Sequence, residues 1–216
     1  MAERFVYETC EVAPYVMPVK VEFEWFGGFS IAQKRRCIHA LHGAYLRRNS
    51  DRRVLEISTK GEVELGNRLS AFSLSMSVDG RDVPMECAFQ GGKVFENGGP
   101  YVDLYDATPR DAKRDMRLRE SGRLTGFSFL GQMWPTKPKD AFYRWLYIRA
   151  LMANPALAEQ LCAYDAFTDI EFNPARQVNC QAIAAATYVS LVRAGRLDEA
   201  MASREAFLWT VYRSLG

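Results

Sequence analysis

Between Val19 and Trp25 the chain alternates strictly, with Val19, Val21, Phe23 and Trp25 apolar and Lys20, Glu22 and Glu24 charged. A period of two is the pattern of a strand with one buried face. Past Gly27-Gly28 the period changes. Ser30 and Gln33 form a capping-box pair, and Ile31, Ile38, Leu41, Tyr45 and Leu46 keep roughly helical spacing to about Arg48. A strand and a helix, each with one apolar face, set the class as mixed. This strand is expected to open the domain.

The rest of the chain keeps switching between the two periods. A short strand over Val54–Ser58 leads into a polar loop, Thr59–Asn67, and Phe72–Val78 alternates up to the hairpin turn Asp79-Gly80. Pro84 stands at a helix start, and a helix is predicted from Met85 to Glu96, with Gly91-Gly92 costing about 1 kcal/mol each relative to alanine. Glycine at such a cost suggests close approach of another segment. Thr108-Pro109-Arg110-Asp111 carries the signals of a helix start, and that helix is predicted to run to about Glu120. Leu124–Met133 reads as strand or loop with Phe127 and Phe129 on one face. Helices follow over Asp140–Met152 and from Asn154-Pro155 to Cys162. Tyr164–Asn179 is polar and turn-rich. Asn179 is then expected to cap an alanine-rich helix, Cys180–Arg193, and a last helix runs from Leu197 to about Tyr212. The fold class is therefore α+β, a single helix-dominated domain over residues 1–216 with a few short strands and a strand–helix extension at about 1–50.

Composition narrows the function. With 216 residues, 48% of them hydrophobic, the chain can bury one substantial core. A net charge of +2 neither demands nor repels a polyanion. Five scattered cysteines without a CxxC pair argue against a disulfide framework or a structural metal. The charged N-terminus and the lack of ~18 consecutive apolar residues give the expectation of a cytoplasmic protein with no membrane partner. No metal and no cofactor are expected.

Four groups of residues could carry chemistry. On the helix predicted from Met85, Glu86, Gln90 and Lys93 fall at i, i+4 and i+7, placing an acid, an amide and an amine on one face between Phe89 and Phe95. An ordinary solvated polar stripe is the plain alternative. Asp165, Asp169 and Glu171 lie among aromatics in what reads as a loop, and could activate water or stabilise an oxocarbenium-like transition state. They could equally cap turns. Asn179-Cys180-Gln181 opens a helix, where backbone N–H groups favour a phosphate or simply receive a cap. Arg110, Lys113, Arg114, Arg117, Arg119 and Arg123 form a basic run, with Arg110, Arg114 and Arg117 on one face that could hold a phosphate backbone. A salt-bridged surface helix is the plain alternative. His39 and His42 have no neighbouring acid in sequence and read as structural. Cys87 reads as a buried filler.

At these residues the chain resembles the NADAR superfamily. The matching segments, in order, are Leu69-Ser70-Ala71-Phe72, the Glu86-Cys-Ala-Phe-Gln90-Gly-Gly-Lys93 run, Asp169-Ile-Glu-Phe-Asn173 and Asn179-Cys-Gln181. The additional N-terminal strand and helix, with Ile57-Ser58-Thr-Lys60 and the run from Tyr164 to Pro174, are similar to the branch found as antitoxins beside DarT-type DNA ADP-ribosyltransferases. Two positions depart from other branches: Cys87-Ala88 replaces His-aromatic, and Phe172-Asn173 replaces Trp-Gly. The resemblance implies the NADAR fold and hydrolysis of the bond joining ADP-ribose to guanine in DNA or RNA. It also implies a cognate toxin as functional partner. Glu86, Lys93 and Asp169 are implied as catalytic. Glu86 would act as acid/base, Lys93 as a charge stabiliser or imine-forming amine, and Asp169 would handle water. Ser58, Lys60, Ser70, Phe72, Phe89, Gln90, Asn173, Asn179 and Gln181 are implied as contacts to ADP-ribose and the base. Two rivals are a non-catalytic protein that binds ADP-ribose or the toxin, and a glycosidase acting on a small nucleotide metabolite.

Overall fold

The computed structural model describes residues 1–175 and 177–213. Strands β1 (Ala2–Glu8) and β2 (Met17–Phe23) pair antiparallel with Val6 opposite Val19. The alternating segment is thus the second strand, not the first. β1 escapes a period-two reading because Val6, Tyr7 and Glu8 are all buried in succession. Helix α1 (Ile31–Leu46) keeps the predicted Ser30–Gln33 capping box and lays Ile38, Leu41 and Tyr45 against Val6, Val21 and Phe23.

The sheet is completed by two short strands distant in sequence. β3 (Val54–Glu56) runs parallel to β9 (Ala166–Thr168), and β9 in turn pairs with β1, giving the order β2-β1-β9-β3. β9 lies inside the segment expected to be loop. All three of its residues are buried, and three residues are too few to show a period. The expected loop after β3 contains a helical turn, α2 (Glu64–Arg68). The Asp79-Gly80 hairpin is present between β4 (Ser75–Val78) and β5 (Arg81–Pro84).

Helix α3 (Met85–Gly91) is shorter than predicted, and Lys93 already belongs to strand β6 (Lys93–Phe95), where it pairs with Phe127 of β7 (Leu124–Phe129). The glycines explain the stop. A Cβ on Gly91 would lie 2.7 Å from the Tyr105 ring and 2.8 Å from the Tyr101 carbonyl, and one on Gly92 would lie 3.0 Å from the Ser128 carbonyl. Neighbouring backbone passes where a continuing helix with side chains would need room. The basic helix is also interrupted, into α4 (Pro109–Arg114) and α5 (Arg117–Glu120), so Arg110, Arg114 and Arg117 do not form one helical face. Arg117 instead pairs with Asp103 and Asp115.

β7 continues into β8 (Gln132–Trp134), with Phe127, Phe129 and Trp134 buried. Against them lies α6 (Ala141–Met152), ten of whose twelve residues are buried. Phe142 and Trp145 stack among those aromatics, and each fully buried aromatic of this size contributes about 2–3 kcal/mol. Helices α7 (Pro155–Leu161) and α8 (Gln181–Arg193) cover the remaining faces of this core. Cys180, not Asn179, occupies the N-cap position of α8 and supplies no side-chain cap. The last predicted helix is two, α9 (Leu197–Met201) and α10 (Arg204–Tyr212), with Ser203 capping the second. Among the described residues no helix is long and apolar enough to cross a membrane.

Candidate functional site

A cavity of about 260 Å³ opens where α3, the start of β6, the turn after β9 and the start of α8 converge. Eight of the residues that the family resemblance implied line it: Glu86, Phe89, Gln90 and Lys93 from one side, Asp169, Asn179 and Gln181 from the other, and Phe72 at the rim. Ser58 and Ser70 do not. Both are buried beside the cavity wall, where the Ser58 hydroxyl accepts from the Lys60 amide and Ser70 donates to Ser73. Lys60 is not among the lining residues. Asn173 is occupied in its own turn, accepting from the Ala175 amide and donating its backbone N–H to Gln177.

On α3 the i, i+4 spacing places Gln90 above Glu86, and its Nε2 donates to Glu86 Oε1 at 2.8 Å. Lys93, although past the helix end, still reaches back, its Nζ donating to Gln90 Oε1 at 2.6 Å. The acid, amide and amine therefore form one hydrogen-bonded row, and Glu86 and Gln90 are buried. Lys113 of α4 brings a second amine to 3.9 Å from the same Glu86 oxygen, over the Phe72 ring. It alone of the basic run lines this cavity. Burial pulls the Lys93 pKa below the ordinary lysine value; the neighbouring Lys113 acts in the same direction and Glu86 against it. Phe89 forms the floor, edge-on to Tyr143 at 5.0 Å and under the Lys93 ammonium.

Opposite, Asp169 accepts from Gln181 Nε2 at 3.0 Å and from the Glu171 amide at 3.1 Å. Gln181 also donates to the Ile57 carbonyl and accepts from the Ala71 amide, so one side chain ties three segments together at the site. Burial raises the Asp169 pKa above the usual aspartate value, with its hydrogen bonds opposing. Behind Asp169 stands a residue that no motif in the sequence singles out. Glu56 of β3 accepts from Thr168 Oγ1 and from the Ile170 amide, the two neighbours of Asp169 in the chain. Its carboxyl is held above the ordinary glutamate value by burial first and by Asp169 second. Only the parallel pairing of β3 with β9 reveals this link.

Phe172, which belongs to the Asp169–Asn173 segment, and Tyr143 also line the cavity; Tyr143 carried no sequence signal, since it sits in a helix ten of whose twelve residues are buried. The Asn179 Oδ1 is buried without a hydrogen-bond partner among the described residues. Cys87 is buried, donates to the Ala107 carbonyl, and has its pKa pushed up to about 11 by burial and then Glu86, which suits a filler and not a nucleophile. His42 hydrogen-bonds Thr168 inside the fold. His39 is not without an acid, because Glu62 lies 2.8 Å away.

Helices gathered around three small sheets among the described residues, with an acid–amide–amine row lining one cavity, define an α+β domain built around a polar pocket. Within that class the model of the DarT1-associated NADAR antitoxins matches residues 2–215, and the chain belongs to that family. No curated protein matches it.

Proposed function

We propose that this antitoxin is an N-glycosidase that hydrolyses the bond joining ADP-ribose to a guanine in nucleic acid, removing the modification made by a DarT-type toxin. The observation that carries this reading is the row Glu86–Gln90–Lys93 sharing one cavity with Asp169. Glu86 donates a proton to the ribose ring oxygen, the ring opens, and an iminium is left between the ribose C1 and the guanine nitrogen. Lys93, which burial biases toward its neutral amine, adds to C1. The guanine nitrogen leaves as an amine, with its proton supplied from the attacking Lys93. A water, deprotonated by Asp169, then adds to C1. Asp169 returns that proton to the Lys93 nitrogen, Lys93 departs as the amine while the new hydroxyl gives its proton to Glu86, and the aldehyde recloses as free ADP-ribose. The net change is one water consumed. Phe72 and Phe89 offer surfaces to the base, while Asn179, with its unpartnered oxygen, and Gln181 offer polar contacts to the sugar.

Release of ADP-ribose from ADP-ribosylated single-stranded DNA, followed over many turnovers, tests the reading. Glu86→Gln and Lys93→Ala are each expected to lower turnover by about 10²–10⁴-fold. Near-normal turnover in both variants removes the mechanism. Stoichiometric retention of the modified strand by the unmodified protein, with nothing released, would instead identify a binding protein.

A further inference from the structure

The depression that carries Glu86 and Asp169 does not stop at Lys93. A second one, of about 340 Å³, shares Lys93 and Asn179 with it and runs on past Phe127 to Lys137 and Lys139, in the segment between β8 and α6. The two differ in charge. Three carboxylates (Glu86, Asp169, Glu171) face two amines (Lys93, Lys113) along the first. Along the second there are three amines, Lys93, Lys137 and Lys139, and no carboxylate among its described lining residues. Lys137 and Lys139 are exposed, while the Phe127 that lines the groove with them is buried and stacked on Phe89 and Phe142. An apolar, low-dielectric floor under amines concentrates their field over the groove.

A continuous trough that is acid-rich at one end and purely basic at the other sorts a substrate by its charge. The end where the bond is cut disfavours extra phosphates, and the basic end favours them. A half-open cavity of this size also excludes a stacked duplex, so the base must arrive unpaired. We propose that the Lys137–Lys139 groove holds the phosphodiester backbone of a single strand next to the modified guanine, so that the substrate is a strand and not a mononucleotide. This rests on the glycosidase reading for what happens at the other end. The groove itself makes a separate claim about binding.

The test uses the full chain and the double variant Lys137→Ala/Lys139→Ala, whose exposed side chains leave the core untouched. Binding of a labelled, ADP-ribosylated single-stranded oligonucleotide and of free ADP-ribose is measured across a salt series, and turnover is followed in the same samples. The variant should bind the strand roughly tenfold more weakly, with a log–log salt slope shallower by about 1.4, two contacts at ~0.7 each. Affinity for free ADP-ribose should not change. Equal weakening for ADP-ribose and the strand overturns the proposal, because the lysines would then hold the pyrophosphate of ADP-ribose itself. Unchanged strand binding overturns it as well. If strand binding weakens as expected but the unmodified protein releases no ADP-ribose, the groove stands and the glycosidase reading falls.

Discussion

Lys93 works from a backbone that has ceased to be helical. Its ammonium group hydrogen-bonds Gln90 and lies 4.9 Å from the Phe89 ring centre, while burial favours the neutral amine. Arginine would restore a cation there but cannot form an imine. Lys93→Arg is therefore expected to remain within about tenfold of Lys93→Ala, and borohydride should trap ADP-ribose on Lys93 of the unmodified protein. Turnover by Lys93→Arg near that of the parent, with no trapped adduct, would reduce Lys93 to a charge. Glu56 makes a prediction about stability. Its folded pKa is raised, so protons bind more tightly in the folded state, and its contribution is fully present below the ordinary carboxylate range. That contribution is lost as pH rises toward neutrality. Glu56→Gln keeps an acceptor for the Ile170 amide but cannot ionise. The urea midpoint of the parent should fall relative to that of Glu56→Gln as pH rises through this window; parallel pH profiles would contradict the argument.

At the scale of elements, the decisive feature is where α3 ends. The spacing of Glu86, Gln90 and Lys93 was legible, and so was the significance of Gly91-Gly92 as a place of close approach. The end of the helix was not, because the atoms that stop it belong to Tyr101, Tyr105 and Ser128, which lie outside the helix and come against it only through the tertiary fold. Gly91→Ala is expected to cost about 1–3 kcal/mol by overpacking and to lower turnover, since the Tyr105 ring and the Tyr101 backbone must move away from α3. Unaltered denaturation and activity would mean that the contact yields freely. β9 teaches the same lesson from the other side. Ala166–Thr168 reads as loop because it is short and flanked by polar residues, yet it is an inner strand and delivers Asp169.

Across the whole molecule, the N-terminal strands and α1 bear on the site through β9. Leu41 is almost completely buried, in a smaller core that also contains Ala166 and Ile170, one on each side of Asp169 in the chain. Leu41→Ala should cost about 2–5 kcal/mol and impair turnover at temperatures where the variant is still folded. Full activity alongside reduced stability would show that the Asp169 turn does not depend on this support. The sequence alone determined which stretches alternate, where Ser30 and Thr108 cap helices, where Asp79-Gly80 turns, and which acid, amide and amine fall in one row, because each depends on residues a few positions apart. Only the tertiary structure decided that Glu56 braces Asp169, that Lys113 joins Glu86, that Ser58, Lys60, Ser70 and Asn173 stand off the cavity, and that Lys137 and Lys139 extend it. Those are contacts between segments up to about a hundred residues apart, and burial against a distant partner leaves no period in the local sequence from which to read it.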